Sequence, residues 1–222
     1  MTEFAITPPD LAACQIISPA QGQPERLFLY LHGAGTNALG MKPLAEGFAS
    51  SFRRAVHVVA EGPQPHDRGG SGGAGRQWYP TIDLGDHNRS ARVAAGLPAV
   101  AAIVRAAQTA YGIAPADTVL IGFSQGAIMA LELVQAQPAE SGIAGAVVAF
   151  AGRLANPARH GAPGTRIHLL HGLNDTVIPH TFSEAAVREL TAQGAAVTLD
   201  LLPDTGHTMT PGMFKRASVY LW

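Results

Sequence analysis

The stretch TVLIGFSQGAIM, Thr118–Met129, decides the fold. Thr118–Phe123 is a short apolar run and predicts a buried strand. Gly122, Phe123, Ser124, Gln125 and Gly126 follow as Gly-Xaa-Ser-Xaa-Gly, and an apolar pattern of helical spacing comes next. Strand, motif and helix in that order are the context of a nucleophile elbow, where a serine sits on a strained strand-to-helix turn. Gly122 and Gly126 lack a Cβ and let the turn pass close to its neighbours. The reading predicts Ser124 Oγ exposed at a strand's carboxyl end, with the Gln125 N–H aimed at a developing oxyanion. The bland alternative is a tight turn around a buried serine. The rest of the chain has to separate the two.

A chain of 222 residues, 47% hydrophobic and 14% charged, is globular and fits one domain over residues 1–222. Its formal net charge of −1 comes without a long basic tract, so no nucleic-acid partner is expected. Cys14 is the only cysteine, which excludes an internal disulfide and fits a reducing compartment. The opening MTEFAITPPD has no basic region followed by an apolar run, so no signal peptide is expected. No apolar segment reads as long enough to cross a bilayer, and no stable membrane insertion is expected. Together these readings predict a cytoplasmic protein.

Strands and helices are predicted to alternate. Ala13–Ser18 reads as a short edge strand. Leu27–Leu31 reads as a buried strand running into His32-Gly33-Ala34-Gly35. A helix is predicted over 38–52, with Met41, Leu44, Ala45 and Phe48 on one face and Pro43 in its first turn. Ala55–Ala60 is the next strand. Glu61–Arg89 is long and irregular and contains the glycine-rich Gly69–Gly75, whose glycines suggest mobility. A loop of that length usually has a role, and Trp78 and Tyr79 are candidates for a pocket wall. Asn88 or Ser90 is expected to cap a long helix reaching about Ala110. Helix 125–137, strands 145–150, 166–170 and 197–202, helix 182–193 and a C-terminal helix from about 212 complete the pattern. It predicts an α/β architecture: a mostly parallel sheet with helices on both faces and no large cap domain.

A serine hydroxyl attacks only when a base takes its proton, and the base needs a carboxylate to fix its tautomer. Asp175 and His207 each follow a predicted strand, in the order Ser124, Asp175, His207. Asp200 lies inside a strand pattern and Asp204 too near His207, so Asp175 is the preferred acid. Among the nine histidines, His32 and His171 are expected to be buried and hydrogen-bonded, and His168 structural within a strand. His57, His66, His87, His160 and His180 read as surface or locally bonded residues. The second oxyanion donor is expected at the Ala34 N–H, in the turn after the first buried strand. His-Gly-Ala-Gly lacks the spacing and Lys-Ser/Thr ending of a phosphate loop, and no zinc-type ligand cluster appears, so no metal or cofactor is expected.

Leu31-His32-Gly33, Gly75–Tyr79, Asn88-Arg89, Ile121–Ala127, His171-Gly172 through Ile178 and Gly206-His207 resemble the phospholipase/carboxylesterase family of α/β-hydrolases, which includes the acyl-protein thioesterases. The similarity spans nearly the whole chain and is nearest to a bacterial branch of small serine esterases. Departures are Ala127 where many thioesterases carry glycine, Tyr79 where phenylalanine is commoner, and the Gly69–Gly75 run. The resemblance implies a serine carboxylesterase for short- to medium-chain acyl esters. Its triad is Ser124, Asp175 and His207, its oxyanion donors are Ala34 and Gln125, and Trp78 shapes the acyl pocket. It implies a small-molecule acyl ester as partner and allows a homodimer. An acyl-thioesterase or lysophospholipase with the same triad is the first alternative. A long acyl chain demands a deep apolar groove, for which Met41, Trp78 and Met129 are the candidates. A non-catalytic binding module on the hydrolase fold is the second.

Overall fold

The computed structural model describes residues 11–222. The opening MTEFAITPPD, on which the expectation of no signal peptide rests, lies outside the described residues. In chain order the elements are β1 (Gln15–Ile17), β2 (Arg26–Leu31), α1 (Ala38–Ser51), β3 (Ala55–Ala60), β4 (Gln64–Pro65), β5 (Arg76–Gln77), α2 (Asp86–Tyr111), β6 (Thr118–Phe123), α3 (Gln125–Ala136), β7 (Ala146–Phe150), β8 (Arg166–Gly172), α4 (Thr181–Ala192), β9 (Ala196–Leu202) and α5 (Pro211–Leu221).

Seven strands form one sheet in the order β1-β3-β2-β6-β7-β8-β9. Only β1 runs antiparallel; every other neighbouring pair is parallel. Parallel strands are covered on both faces, so their sequences are apolar throughout and successive side chains serve opposite cores. In β2, Leu27, Leu29 and Leu31 enter the core that contains α2 and α3 residues such as Val100 and Met129. Phe28 and Tyr30 enter the other core, beneath Met41, Ala45 and Phe48 of α1 and Met213 and Ala217 of α5. This is the α/β-hydrolase fold, with no large cap inserted among the described residues.

Helix boundaries follow local chemistry. Glu61 Oε2 accepts the Ala38 N–H at 2.7 Å, which places a carboxylate on the amino end of α1. Pro43 lies inside α1, in its second turn, and not in the first as expected. For α2 the Asn88 side chain accepts the Gly85 N–H at 3.0 Å, so Asn88 acts from within the first turn and Gly85 is the cap. Ser90 instead donates to Asn156. α2 ends on Gly112 at φ +64°, a left-handed stop that favours glycine. Thr210 and Pro211 start α5, with Thr210 Oγ1 accepting the Met213 N–H at 3.2 Å.

Three sequence expectations change. By length and composition α2 is apolar enough to cross a membrane. Its Val93, Gly96, Val100 and Val104 are buried against the protein's own core. The segment expected to be irregular carries the β4–β5 hairpin. Within it Gly70 and Gly75 press on the turn after β2: a Cβ would stand 2.5 and 2.7 Å from Gly35 O. These glycines give close approach, where the sequence suggested mobility.

The third concerns His57, which is fully buried on β3 and shares a 2.7 Å hydrogen bond with the Tyr30 hydroxyl. Burial pushes its imidazole down to about 4, and burial does the same to His168. Both hold an Nε2 with no partner among the described residues. The unfolded chain therefore binds these protons at a higher pH than the folded one. Stability contributed by two neutral histidines is complete above about pH 6.5 and is lost as pH falls toward 4. Urea melts are expected to show unfolding free energy falling by about 2 kcal/mol per histidine between about pH 7.5 and pH 5. Protonation of either ring above pH 5 in the folded protein, seen by NMR, contradicts this.

Candidate active site

At the carboxyl end of β6 the chain turns on Ser124, which takes φ +53° and ψ −117°. A non-glycine residue there is strained by about 1–3 kcal/mol and persists only because its surroundings enforce it. The Ser124 N–H donates to Phe150 O at 2.9 Å, and Ser124 O accepts the Ile128 N–H at 3.1 Å. Flanking glycines make room. A Cβ on Gly122 would lie 2.4 Å from Gly126 O, and one on Gly126 would lie 2.0 Å from Leu31 O.

Asp175 follows β8 and is buried. Its Oδ1 accepts the Val177 and Ile178 N–H groups, each at 2.9 Å. Its Oδ2 accepts from His207 Nδ1 at 2.7 Å. Burial alone raises a carboxyl; the hydrogen bond from His207 and the two amides outweigh it and hold Asp175 below the ordinary carboxylate range. With Nδ1–H committed to Asp175, His207 Nε2 is the acceptor, and Ser124 Oγ stands 2.9 Å from it. The β9 loop that carries His207 is tied to the acid loop through the Asn174 N–H, which donates to Thr205 O at 2.9 Å.

His171, expected to be structural, is bonded to the acid as well. Its Nε2–H donates to Ile178 O at 2.8 Å and reaches Asp175 Oδ2 at 3.1 Å. Its Nδ1 meets Ser183 Oγ at 2.6 Å. Burial, the largest influence, lowers its affinity for a second proton. Asp175 is thus held by two amides and two imidazoles. His32 is buried with Nδ1–H on Gly33 O and Nε2 accepting the Gly62 N–H, so it ties the turn after β2 to the segment after β3. Asp200 is committed to Arg216 and Tyr220 at 2.7 Å each, away from His207.

Ser124 opens into a cavity of about 310 Å³. Ala34, Gln125 and Tyr79 line it, as do Ile128, Ile178 and Phe182. Three expected pocket residues do not. Trp78 is buried and donates from Nε1 to His32 O at 2.9 Å. Met129 is sealed in the core of α2 and α3, and Met41 in the core on the opposite face of the sheet, so the sheet separates the two methionines. The Gln125 side chain fastens the cavity wall: Oε1 accepts the Trp78 N–H at 2.7 Å and Nε2 donates to Tyr79 O at 2.8 Å. Arg89 and Arg153 also line the cavity; the sequence marked Arg89 only as part of a motif before the long helix, and Arg153 not as a site residue. Arg153 lies just beyond the end of β7, at the sheet edge where functional side chains gather, and that position was the readable signal.

The phospholipase/carboxylesterase family model matches residues 12–221. The chain belongs to this family. Within it, the chain is 38% identical over 206 residues to the esterase YpfH of Escherichia coli, covering 93% of this chain and 81% of that protein. Among solved structures, esterase PE8 is 28% identical and superposes with a TM-score of 0.83, covering 94% of this chain and 97% of PE8. A Bacillus cereus carboxylesterase, 20% identical, has the same fold at a TM-score of 0.75 over 94% of this chain and 92% of that one. Family membership places the chain among hydrolases of the esterase type.

Gly126→Ala is expected to destabilise the protein by about 3 kcal/mol, because the obstacle at 2.0 Å is the Leu31 carbonyl and backbone cannot step aside cheaply. Gly142→Ala, with nothing within 4 Å of the new Cβ, is expected to stay within about 0.5 kcal/mol of wild type. Equal urea midpoints for the two variants refute the packing account of the elbow.

Proposed function

We propose that the chain is a serine carboxylesterase acting on short- to medium-chain acyl esters through an acyl-enzyme. One observation carries the reading: His207 bridges Ser124 Oγ, at 2.9 Å, and Asp175 Oδ2, at 2.7 Å, on the wall of an open cavity. That geometry suits proton removal from the serine as Oγ attacks an ester carbonyl. Asp175 keeps the proton on Nδ1, so Nε2 is free to accept the serine proton, and the buried carboxylate stabilises the imidazolium that forms.

The carbonyl electrons move onto oxygen as the tetrahedral intermediate forms. The backbone N–H groups of Ala34 and Gln125, both residues of the cavity wall, are the proposed donors to that oxyanion. His207 then gives its proton to the leaving alcohol as the ester C–O bond breaks. Water attacks the acyl-enzyme with His207 again as base, and the acid product leaves with Ser124 restored.

The cavity volume supports a small acyl group over a long one. About 310 Å³ is at the low end of ligand pockets. The three side chains expected to form a long groove are buried elsewhere. A fluorophosphonate probe is expected to label wild type and not Ser124→Ala. Asp175→Asn is expected to lower kcat/KM on a short 4-nitrophenyl ester by about 10⁴-fold. Labelling that survives in Ser124→Ala sinks the mechanism. A kcat/KM that rises steadily to long acyl esters leaves the triad standing and overturns the substrate range.

A further inference from the structure

The same cavity holds two guanidinium groups that the proposed chemistry does not use. Arg89 comes from the first turn of α2 and Arg153 from the loop after β7. Their side chains are only 17% and 16% exposed. Arg153 Cζ lies over the Phe182 ring, 3.6 Å from its centroid, and its Nε donates to Leu154 O at 3.1 Å. Among the described residues Arg89 Nε is buried without a hydrogen-bond partner, while the Arg89 side chain also meets the Tyr79 hydroxyl.

Other arginines near the site are committed. Arg76 donates to Gly62 O and Pro63 O, and Arg92 to Pro80 O and Ile82 O. Arg89 and Arg153 share one carboxylate, Asp86, at 3.8 and 3.9 Å, beyond hydrogen-bond distance. Asp86 is 87% exposed, so water screens it and the pairs stabilise little. Glu132 lies near Tyr79, but its carboxylate accepts the Ala155 and Asn156 N–H groups and the Asn156 side chain. Among the described residues, the two cations therefore line the cavity with like charges together and no carboxylate but the exposed Asp86 within 4 Å of either.

A buried charge is costly unless paired, and a guanidinium fork matches the planar oxygens of a carboxylate or phosphate. We propose that Arg89 and Arg153 form an anion subsite beside Ser124, and that the substrate is an acyl ester bearing a carboxylate or phosphate group. The subsite rests on the esterase reading of this cavity and narrows it. Leu84, Ile128, Ile178 and Phe182 supply apolar walls to the same cavity. Arg153 stacked on Phe182 is held in place before the ligand arrives, which lowers the ordering cost of binding.

Binding is best read on Ser124→Ala, where no turnover is required. NMR titrations compare monoethyl succinate with neutral diethyl succinate for the carboxylate, and 2-acetoxyethyl phosphate for the phosphate. At least one anion is expected to bind about 10- to 100-fold tighter than the neutral diester. That ratio is expected to shrink as salt is added, and to fall about tenfold in the Ser124→Ala/Arg153→Gln double variant. Whichever anion binds tighter identifies the charged group. No preference for either anion over the diester, or no binding of either anion, overturns the subsite. Turnover of neutral esters by wild type alongside that result leaves the esterase reading intact. A charge preference in a protein that no fluorophosphonate labels keeps the subsite and removes the esterase reading.

Discussion

The close approach of Gly126 to the end of β2 is the constraint on which the site depends. A backbone carbonyl occupies the space where any other residue would carry its Cβ. That contact lets α3 begin directly over the sheet and holds Ser124 at φ +53°. The strain at Ser124 is offset by the two parallel ladders around β6, whose β2 and β7 neighbours are among the most buried strands of the protein. A turn of this kind cannot relax without moving the sheet. The serine is therefore rigid before any ligand arrives.

A chain of hydrogen bonds then extends from the elbow across two further strand ends. Ser124, His207 and Asp175 come from the loops after β6, β9 and β8. The acid is fixed from several directions: Val177 and Ile178 amides on one oxygen, His207 and His171 on the other. Each donor favours the ionised carboxylate and opposes the penalty of burial. His171 reaches on to Ser183 at the start of α4; the Ser183 Oγ donates to the imidazole Nδ1 and also stands 3.0 Å from Gly152 O beside β7. Orientation of the imidazole is thus a property of several elements together.

The cavity wall is equally an assembled object. The Gln125 side chain, one residue past the serine, grips the backbone at Trp78 and Tyr79. Trp78 closes the circuit to His32 O. The glycine run packs on the turn that presents Ala34, with Ser71 Oγ donating to Gly35 O at 2.9 Å. Tyr79 faces Arg89 and Arg153, and burial pushes its hydroxyl up to about 12 despite both cations. Neighbouring residues of one segment therefore play different parts, since Trp78 anchors it inward while Tyr79 borders the cavity.

Much of this was legible in the chain. Apolar runs of strand length, glycines around Ser124 and acid and imidazole at later strand ends are local patterns that report local geometry. They located nearly every strand and helix, and the structure puts His207 within hydrogen-bond reach of both Ser124 and Asp175. What failed was any statement about which side of the sheet a residue faces, or what stands beside it. Met41 and Met129 looked alike as flexible apolar side chains, yet the sheet lies between them. His57 read as a surface or locally bonded residue because one polar letter in AVHVVA does not reveal Tyr30 on the neighbouring strand. Arg89 and Arg153 are 64 positions apart and converge only when α2 and the loop after β7 meet at one cavity. Periodicity and spacing act along the chain and were determined by the sequence itself. Partnership between distant side chains depends on register, burial and the path of each loop, and only the tertiary structure decided it.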